Sequence, residues 1–173
     1  MAKQKLNLQT YQQDILARLK NVVGSPQNAV ISRLGVSIAN KNYLVSLADI
    51  SEVVPVPQVT KIPLTQDWFL GVANVRGNLA AITDLARFLG DAAQQVSSES
   101  RVLLAHARFG LNAGLLIERL IGLRDVNAMQ LKHVKSGSDA WDSKLYQDDN
   151  NQDWQEINIE VLITKKEFLQ VAI

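Results

Sequence analysis

The chain has 173 residues, of which 47% are hydrophobic, so it is long enough to bury a substantial core within one domain. Its 18 basic and 17 acidic residues leave a net charge of +1, which provides no overall field to attract nucleic acid or an acidic membrane. The sequence has no cysteine, which excludes disulfides, thiolate nucleophiles and cysteine-ligated zinc.

Residues 1–25 are predicted to form a helical extension, with a helix over residues 10–23. Six apolar residues repeat there at helical spacing and form one stripe: Leu8, Tyr11, Ile15, Leu16, Leu19 and Val22. Two interpretations of this stripe stay open, packing on the chain's own domain and docking to a partner. Polar residues interrupt every apolar run in this region, so it predicts neither a signal peptide nor a membrane span. We expect a cytoplasmic protein.

After residue 26 the apolar residues alternate with polar ones, which indicates β-strands. The strands predicted from this alternation cover residues 34–38, 43–47 and 52–56, two strands within 69–83, and then 101–108, 111–119 and 121–126. A turn at residues 40–42 and a short helix over residues 84–89 complete the pattern. Many short strands separated by turns favour small β-barrels over an α/β sheet, so we expect a mainly β fold.

The composition changes between residues 136 and 160, where seven acidic residues accompany a single basic one. This change predicts an acidic loop insertion at about residues 136–153. The tail over residues 157–173 alternates apolar and charged residues and is expected to pack back onto the core as strand or helix. The chain therefore divides into the extension at residues 1–25 and one domain at residues 26–173.

Few residues are suited to catalysis or metal binding. The histidines His106 and His133 have no matched acidic residue nearby in the sequence, and His106, on an apolar strand face, is interpreted as structural. Part of a calcium-loop pattern is present at Asp149, Asn151, Asp153 and Glu160. Trp154 occupies the place where that loop requires glycine. We expect no enzymatic activity, no metal and no cofactor.

The segment over residues 69–90 carries the strongest functional signal. Asn74 and Arg76 are strongly polar side chains in an apolar run, and Gly77 lets the backbone turn beside them. A cation at the corner of a tight sheet needs a carboxylate or a partner, because burying it alone costs too much. This predicts a binding site rather than a catalytic one. The basic strands at residues 101–135 suggest one alternative from another class, a small β-barrel that binds single-stranded nucleic acid.

These motifs resemble those of the CheW-like family of chemotaxis coupling proteins. The similarity runs from about residue 32 to residue 134 and resumes weakly from residue 154. It rests on Ile50-Ser51-Glu52-Val53-Val54, on Gly71-Val72-Ala73-Asn74-Val75-Arg76-Gly77 and on Ile82-Thr83-Asp84-Leu85. The N-terminal helix and the final residues resemble the PilI branch of this family, which serves type IV pilus twitching systems.

The resemblance implies two small SH3-like five-stranded β-barrels packed at an angle, with a hydrophobic cleft between them. It also implies a non-enzymatic adaptor that joins the cytoplasmic tip of a methyl-accepting chemoreceptor to the regulatory domain of a CheA-type histidine kinase. On this basis neither nucleic-acid binding nor direct membrane insertion is expected. The expected output is twitching motility, and flagellar chemotaxis is the alternative.

The same resemblance places six residues at the partner-binding surface: Arg76, Glu52, Ile50, Val54, Asn74 and Gly77. Arg76 is expected to brace the corner and to help form the surface. Glu52, with Ile50 and Val54 beside it, is expected at the docking edge. Asn74 is expected to act as a turn residue more than as a contact.

Overall fold

Two β-sheets of short strands make up the part of the chain that the computed structural model describes, residues 32–135 and 140–173. The strands are β1 (Ser32–Ile38), β2 (Lys41–Ser46), β3 (Ile50–Pro55), β4 (Phe69–Val75), β5 (Asn78–Asp84), β6 (Arg101–Ala105), β7 (Ala113–Ile117), β8 (Arg119–Asp125), β9 (Gln130–Val134), β10 (Lys144–Gln147) and β11 (Asp153–Ile157). The short helices are α1 (Leu85–Phe88), α2 (Ile159–Thr164) and α3 (Lys166–Leu169). The expected mainly β fold is confirmed. The helix predicted over residues 10–23 lies outside the described residues.

The strands form one sheet of six and one of five. Their orders are β8-β1-β2-β11-β10-β9 and β3-β6-β7-β5-β4. Neighbouring strands are antiparallel except for β2 with β11 and β5 with β7, which are parallel. The six-stranded sheet corrects the expectation of five strands in each unit, because β9 adds a strand at its edge.

The five-stranded sheet curls until its two edge strands, β3 and β4, are linked. The chain after β3 returns to β4, where the Thr60 N–H donates to the Val72 carbonyl at 2.7 Å and the Val72 N–H donates to the Thr60 carbonyl at 2.9 Å. Gly71 permits this approach, because its φ is +130° and a Cβ there would lie 2.1 Å from the Thr60 carbonyl oxygen. The sheet is therefore closed by this pair into a barrel-like unit.

Apolar side chains fill the space between the two sheets. The largest core combines residues of β1 and β2 from one sheet with residues of β6 and β7 from the other, together with α1 and α2. Smaller cores lie on the opposite face of each sheet, around Ile82 and Leu116 in one and around Leu44 and Trp154 in the other. The hydrophobic cleft expected between the barrels is thus a filled core, because both sheets turn apolar faces toward each other.

The acidic segment and the tail both contain regular structure. Strand β10 forms within the range predicted as a loop insertion, and the tail forms α2 and α3. The Phe168 ring of α3 stacks on Trp68, with centroids 5.9 Å apart, and meets Phe88 edge-on at 5.2 Å. This aromatic cluster fastens the end of the chain to the five-stranded sheet. In residues 32–135 and 140–173, no helix has both the length and the apolar character needed to cross a membrane.

Candidate functional site

The polar corner of the sequence is the two-residue turn between β4 and β5. Val75 pairs with Asn78, so Arg76 and Gly77 form the loop, and both have positive φ, at 51° and 85°. Two consecutive positive φ values are typical of the type I′ turn, whose twist matches that of the strands. The Gly77 N–H donates to Oδ1 of Asn74 at 2.8 Å. Asn74 and Gly77 therefore shape the turn that presents Arg76.

The turn brings Arg76 to Glu52 on β3. Nη2 of Arg76 lies 2.6 Å from Oε1 of Glu52, and the side chains are 60% and 26% exposed. Because β3 and β4 are the edge strands of this sheet, the ion pair spans its two edges. An exposed ion pair contributes only about 0–1 kcal/mol to stability. More than half of the Arg76 side chain is exposed to a partner, while Glu52 holds its position.

Ile50 and Val54 do not lie on this surface. They are only 4% and 7% exposed, and they belong to different cores, one between the sheets and one inside the five-stranded sheet. The register between β3 and β6 shifts between Ile50 and Glu52, so Ser51 is an extra residue in β3. This bulge reverses the alternation of faces. It corrects the expectation that both side chains stand beside Glu52 at the docking edge.

A groove of about 220 Å³ lies beside the ion pair. Its lining includes Glu52, Arg76, Leu79, Leu104 and Asn112. Leu79 is an exposed large hydrophobic residue. The groove therefore offers a partner an arginine, a residue type enriched at protein interfaces, together with an exposed apolar contact.

Leu79 is missing from the set of residues predicted by the sequence. Its neighbours Ala80 and Ile82 are buried inside the five-stranded sheet. Successive side chains of a strand point to opposite faces, so a residue next to Ala80 must point outward. The alternation along β5 could have indicated that Leu79 is exposed, but only once the structure shows which face of the strand is buried.

A second charged cluster adjoins the groove at the 3₁₀ turn over Ala107–Phe109. Arg108 pairs there with Asp49. Burial raises the pKa of the Asp49 carboxyl, and the Arg108 charge opposes that rise. Nδ1 of His106 accepts a hydrogen bond from the Arg108 N–H at 3.1 Å and caps the turn. His106 therefore has a structural role as a cap, but the apolar strand face expected for it is wrong. Strand β6 ends at Ala105, so His106 lies beyond the strand and its side chain is exposed.

Metal binding and nucleic-acid binding each require a particular arrangement of side chains. Within residues 32–135 and 140–173, no group of three or more His, Asp or Glu side chains is arranged to hold a metal. The nucleic-acid alternative needs aromatic rings that are free to stack on bases. Trp154 is buried in a core, and Trp68 packs against Phe88 and Phe168.

This chain is similar in sequence to one family model and to known proteins. A family model described as the CheW-like domain matches residues 33–167. Protein PilI of Pseudomonas aeruginosa is 27% identical over 146 residues, which cover 82% of this chain and 80% of that protein. Chemotaxis protein CheW of Helicobacter pylori is 30% identical over 111 residues, which cover 62% of this chain and 67% of that protein.

A solved structure is also similar. The crystal structure of the scaffolding protein TtCheW from Thermoanaerobacter tengcongensis superposes with a TM-score of 0.65 at 22% sequence identity. The superposition covers 79% of this chain and 94% of that one. At this level of sequence identity, the similarity shows a shared fold and nothing more.

Proposed function

Because this chain belongs to the CheW-like domain family, we propose that it is a non-enzymatic adaptor of chemosensory signalling. It couples the cytoplasmic tip of a methyl-accepting chemoreceptor to the regulatory domain of a CheA-type histidine kinase. It acts in the cytoplasm, at membrane-associated receptor arrays. The similarity to a chemotaxis protein CheW over 62% of the chain supports this role.

The proposed output is type IV pilus twitching motility. The similarity to Protein PilI supports this assignment, since it extends over 82% of the chain. Flagellar chemotaxis is the alternative output. A strain of Pseudomonas aeruginosa that lacks its own PilI distinguishes the two: expression of this chain should restore the twitching zone on agar and leave swimming unchanged. Restored swimming without twitching would assign the chain to the flagellar pathway.

The observation that carries the proposal is the exposed Arg76, held by Glu52 next to the exposed Leu79. A guanidinium whose position is already set can donate two hydrogen bonds to a partner carboxylate without losing much side-chain entropy. Burial of a leucine contributes about 1.5–3 kcal/mol. We therefore place the kinase-binding surface at the β4–β5 turn and the adjacent groove, with Arg76, Glu52 and Leu79 as contacts.

Substitution of Arg76 tests this surface, and the chain supplies a matched control. The Lys41–Asp91 ion pair has nearly the same exposure, 59% and 26%, but lies away from the groove. We expect Arg76→Ala to weaken binding of the kinase regulatory domain by about tenfold or more in calorimetry. Lys41→Ala should leave that affinity unchanged. Both variants should keep nearly the thermal stability of the unchanged protein, because exposed ion pairs contribute little to it.

A charge exchange separates direct contact from internal bracing. The double variant Glu52→Arg with Arg76→Glu keeps an ion pair but reverses its polarity. If Arg76 contacts the partner, binding stays weak in this variant even though the ion pair across the turn is restored. Recovery of binding would show that Arg76 only braces the turn. Full binding by Arg76→Ala would remove the residue from the interface altogether.

A further inference from the structure

Strand β9 leaves one edge of the six-stranded sheet open. It is the last strand of that sheet, and it is bonded to β10 on its inner side, where the Lys135 N–H donates to the Ser143 carbonyl at 2.7 Å. Successive backbone N–H groups of a strand point to opposite sides, so the N–H of Val134 points to the outer side. In residues 32–135 and 140–173, no hydrogen bond reaches that side of β9. The edge therefore offers backbone donors and acceptors to another strand.

Two exposed apolar side chains of β9 share one face of the sheet. Leu131 pairs with Tyr146 and Val134 pairs with Lys144, and a register shift between the two pairs makes Lys132 an extra residue in β9. Directly paired residues share a face, as do residues two apart in one strand. Leu131 and Val134 therefore both lie on the face of Tyr146, which belongs to a buried core. They are 49% and 50% exposed, so this apolar face continues beyond the core to the open edge.

The open edge also carries positive charge. Residues 126–135 contain two lysines and no acidic residue. Lys135 pairs with Asp142, whereas none of the ion pairs in residues 32–135 and 140–173 involves Lys132. A second copy of β9, laid antiparallel along the first, would bring like charges opposite each other, which is unfavourable. The charge therefore disfavours a second copy and favours an acidic strand.

We propose that β9 binds an extended segment of a partner protein, which adds to the sheet as a further strand and alternates apolar with acidic residues. In strand addition, backbone hydrogen bonds supply affinity and the alternate side chains supply specificity. The apolar residues of the segment cover Leu131 and Val134, and its acidic residues attract Lys132. This surface belongs to the six-stranded sheet, whereas the turn at Arg76 belongs to the five-stranded one. The adaptor thus has a second docking surface, separate from the first.

A synthetic peptide tests this inference on the full chain. The probe is an eight-residue peptide that alternates valine with glutamate, and the control is the same peptide with lysine in place of glutamate. We expect the glutamate peptide to slow hydrogen–deuterium exchange of the Val134 amide, and the lysine peptide to leave it unchanged. Binding of the glutamate peptide should weaken as salt rises, because exposed charges are screened.

Substitution of Val134 tests the role of the backbone. Val134→Pro removes an N–H on the open side and no bond to β10, so the fold should be retained. We expect it to weaken binding of the labelled glutamate peptide about tenfold in fluorescence anisotropy. Val134→Ala is the matched control, because it shortens the side chain but keeps the N–H. It should weaken binding less than Val134→Pro does.

Charge reversal tests the choice of partner. Lys132→Glu should weaken binding of the glutamate peptide about threefold and improve binding of the lysine peptide. Lys61→Glu makes the same change in net charge at an exposed residue next to Thr60, which pairs with the five-stranded sheet. It should leave binding of both peptides unchanged.

Four results would overturn the inference. Unchanged exchange of the Val134 amide at millimolar glutamate peptide would show that no strand adds to the edge. Equal binding of the two peptides would show that charge does not select the partner, and equal binding by Val134→Pro and Val134→Ala would exclude the backbone. Slow exchange of the Val134 amide without peptide would show an edge already covered, by a second copy if dilution removes the protection and otherwise by the chain itself. Each result leaves the proposed binding by Arg76 unaffected, since Arg76 lies in the other sheet.

Discussion

Gly71→Ala tests whether the pair between Thr60 and β4 closes the five-stranded sheet. The added Cβ would lie 2.1 Å from the Thr60 carbonyl oxygen and 2.8 Å from its carbonyl carbon. Both neighbours are backbone atoms, so no side chain can rotate away. The loop around Thr60 must therefore move outward, and both hydrogen bonds with Val72 must lengthen or break.

The expected cost follows from these contacts. An alanine held at a φ near +130° is strained by about 1–3 kcal/mol. Each of the two hydrogen bonds between Thr60 and Val72 contributes about 0.5–1.5 kcal/mol. The sum is roughly 2–6 kcal/mol, so we expect a loss of about 4 kcal/mol. This is a large part of the 5–15 kcal/mol that typically separates folded from unfolded domains.

Urea unfolding followed by circular dichroism measures this loss, and Gly90→Ala is its control. Gly90 also has a positive φ, +90°, but no atom lies within 4 Å of the position where its Cβ would be. In Gly90→Ala the free energy of unfolding should fall only by the cost of holding alanine at a positive φ, about 1–2 kcal/mol. Equal losses in the two variants would refute the argument, because the close approach of Thr60 would then contribute nothing.

Three further substitutions test local contacts. Glu118→Gln removes a carboxylate that accepts hydrogen bonds from Ser37 Oγ at 2.7 Å and from the backbone, which hold its pKa below the usual 4.5. The folded protein loses this stabilisation as pH falls through that lowered value, so the unfolding temperature of the variant should depend less on pH below about 5. Phe168→Ala removes the ring stacked on Trp68. This variant should have a free energy of unfolding in urea about 3–5 kcal/mol lower than the unchanged protein, and its tryptophan emission should shift to longer wavelength. Asn74→Ala removes the acceptor of the turn and should cost about 1 kcal/mol in thermal unfolding.

Each of these expectations has an outcome that contradicts it. A pH profile of Glu118→Gln parallel to that of the unchanged protein would mean that the bonds to Glu118 add no stability. Unchanged tryptophan emission in Phe168→Ala would mean that Trp68 stays shielded without its neighbour. Asn74→Asp is the control, because it keeps an acceptor oxygen. If it loses as much thermal stability as Asn74→Ala, the loss in Asn74→Ala does not come from the hydrogen bond.

Much of the site could be predicted because it depends on neighbouring residues. An asparagine, an arginine and a glycine between two apolar runs indicate a tight hairpin, and the structure has that hairpin at Asn74–Asn78. The sequence cannot show that Ser51 is an extra residue in β3. That bulge depends on the pairing with β6, about fifty residues away, and it sends Ile50 and Val54 to different cores.

Strands β9 and β10 escaped prediction for a related reason. All five residues of β9 are exposed, and β10 stands in an acidic segment, so neither has the alternation of a half-buried strand. They form because β11 provides an edge for β10, and β10 provides one for β9. An edge supplies backbone hydrogen bonds to a neighbour of almost any composition.

The sequence by itself determined the fold class, the two-residue turn at Arg76 and Gly77 and the family to which the chain belongs, since these depend on alternation and motifs within short stretches. Only the tertiary structure decided which side chains share a surface. The contact of Arg76 with Glu52, the exposure of Leu79 and the filled space between the sheets all depend on how the sheets curl and pack. Curling brings together residues that are distant in the chain, because the closure of a sheet is a property of all its strands together.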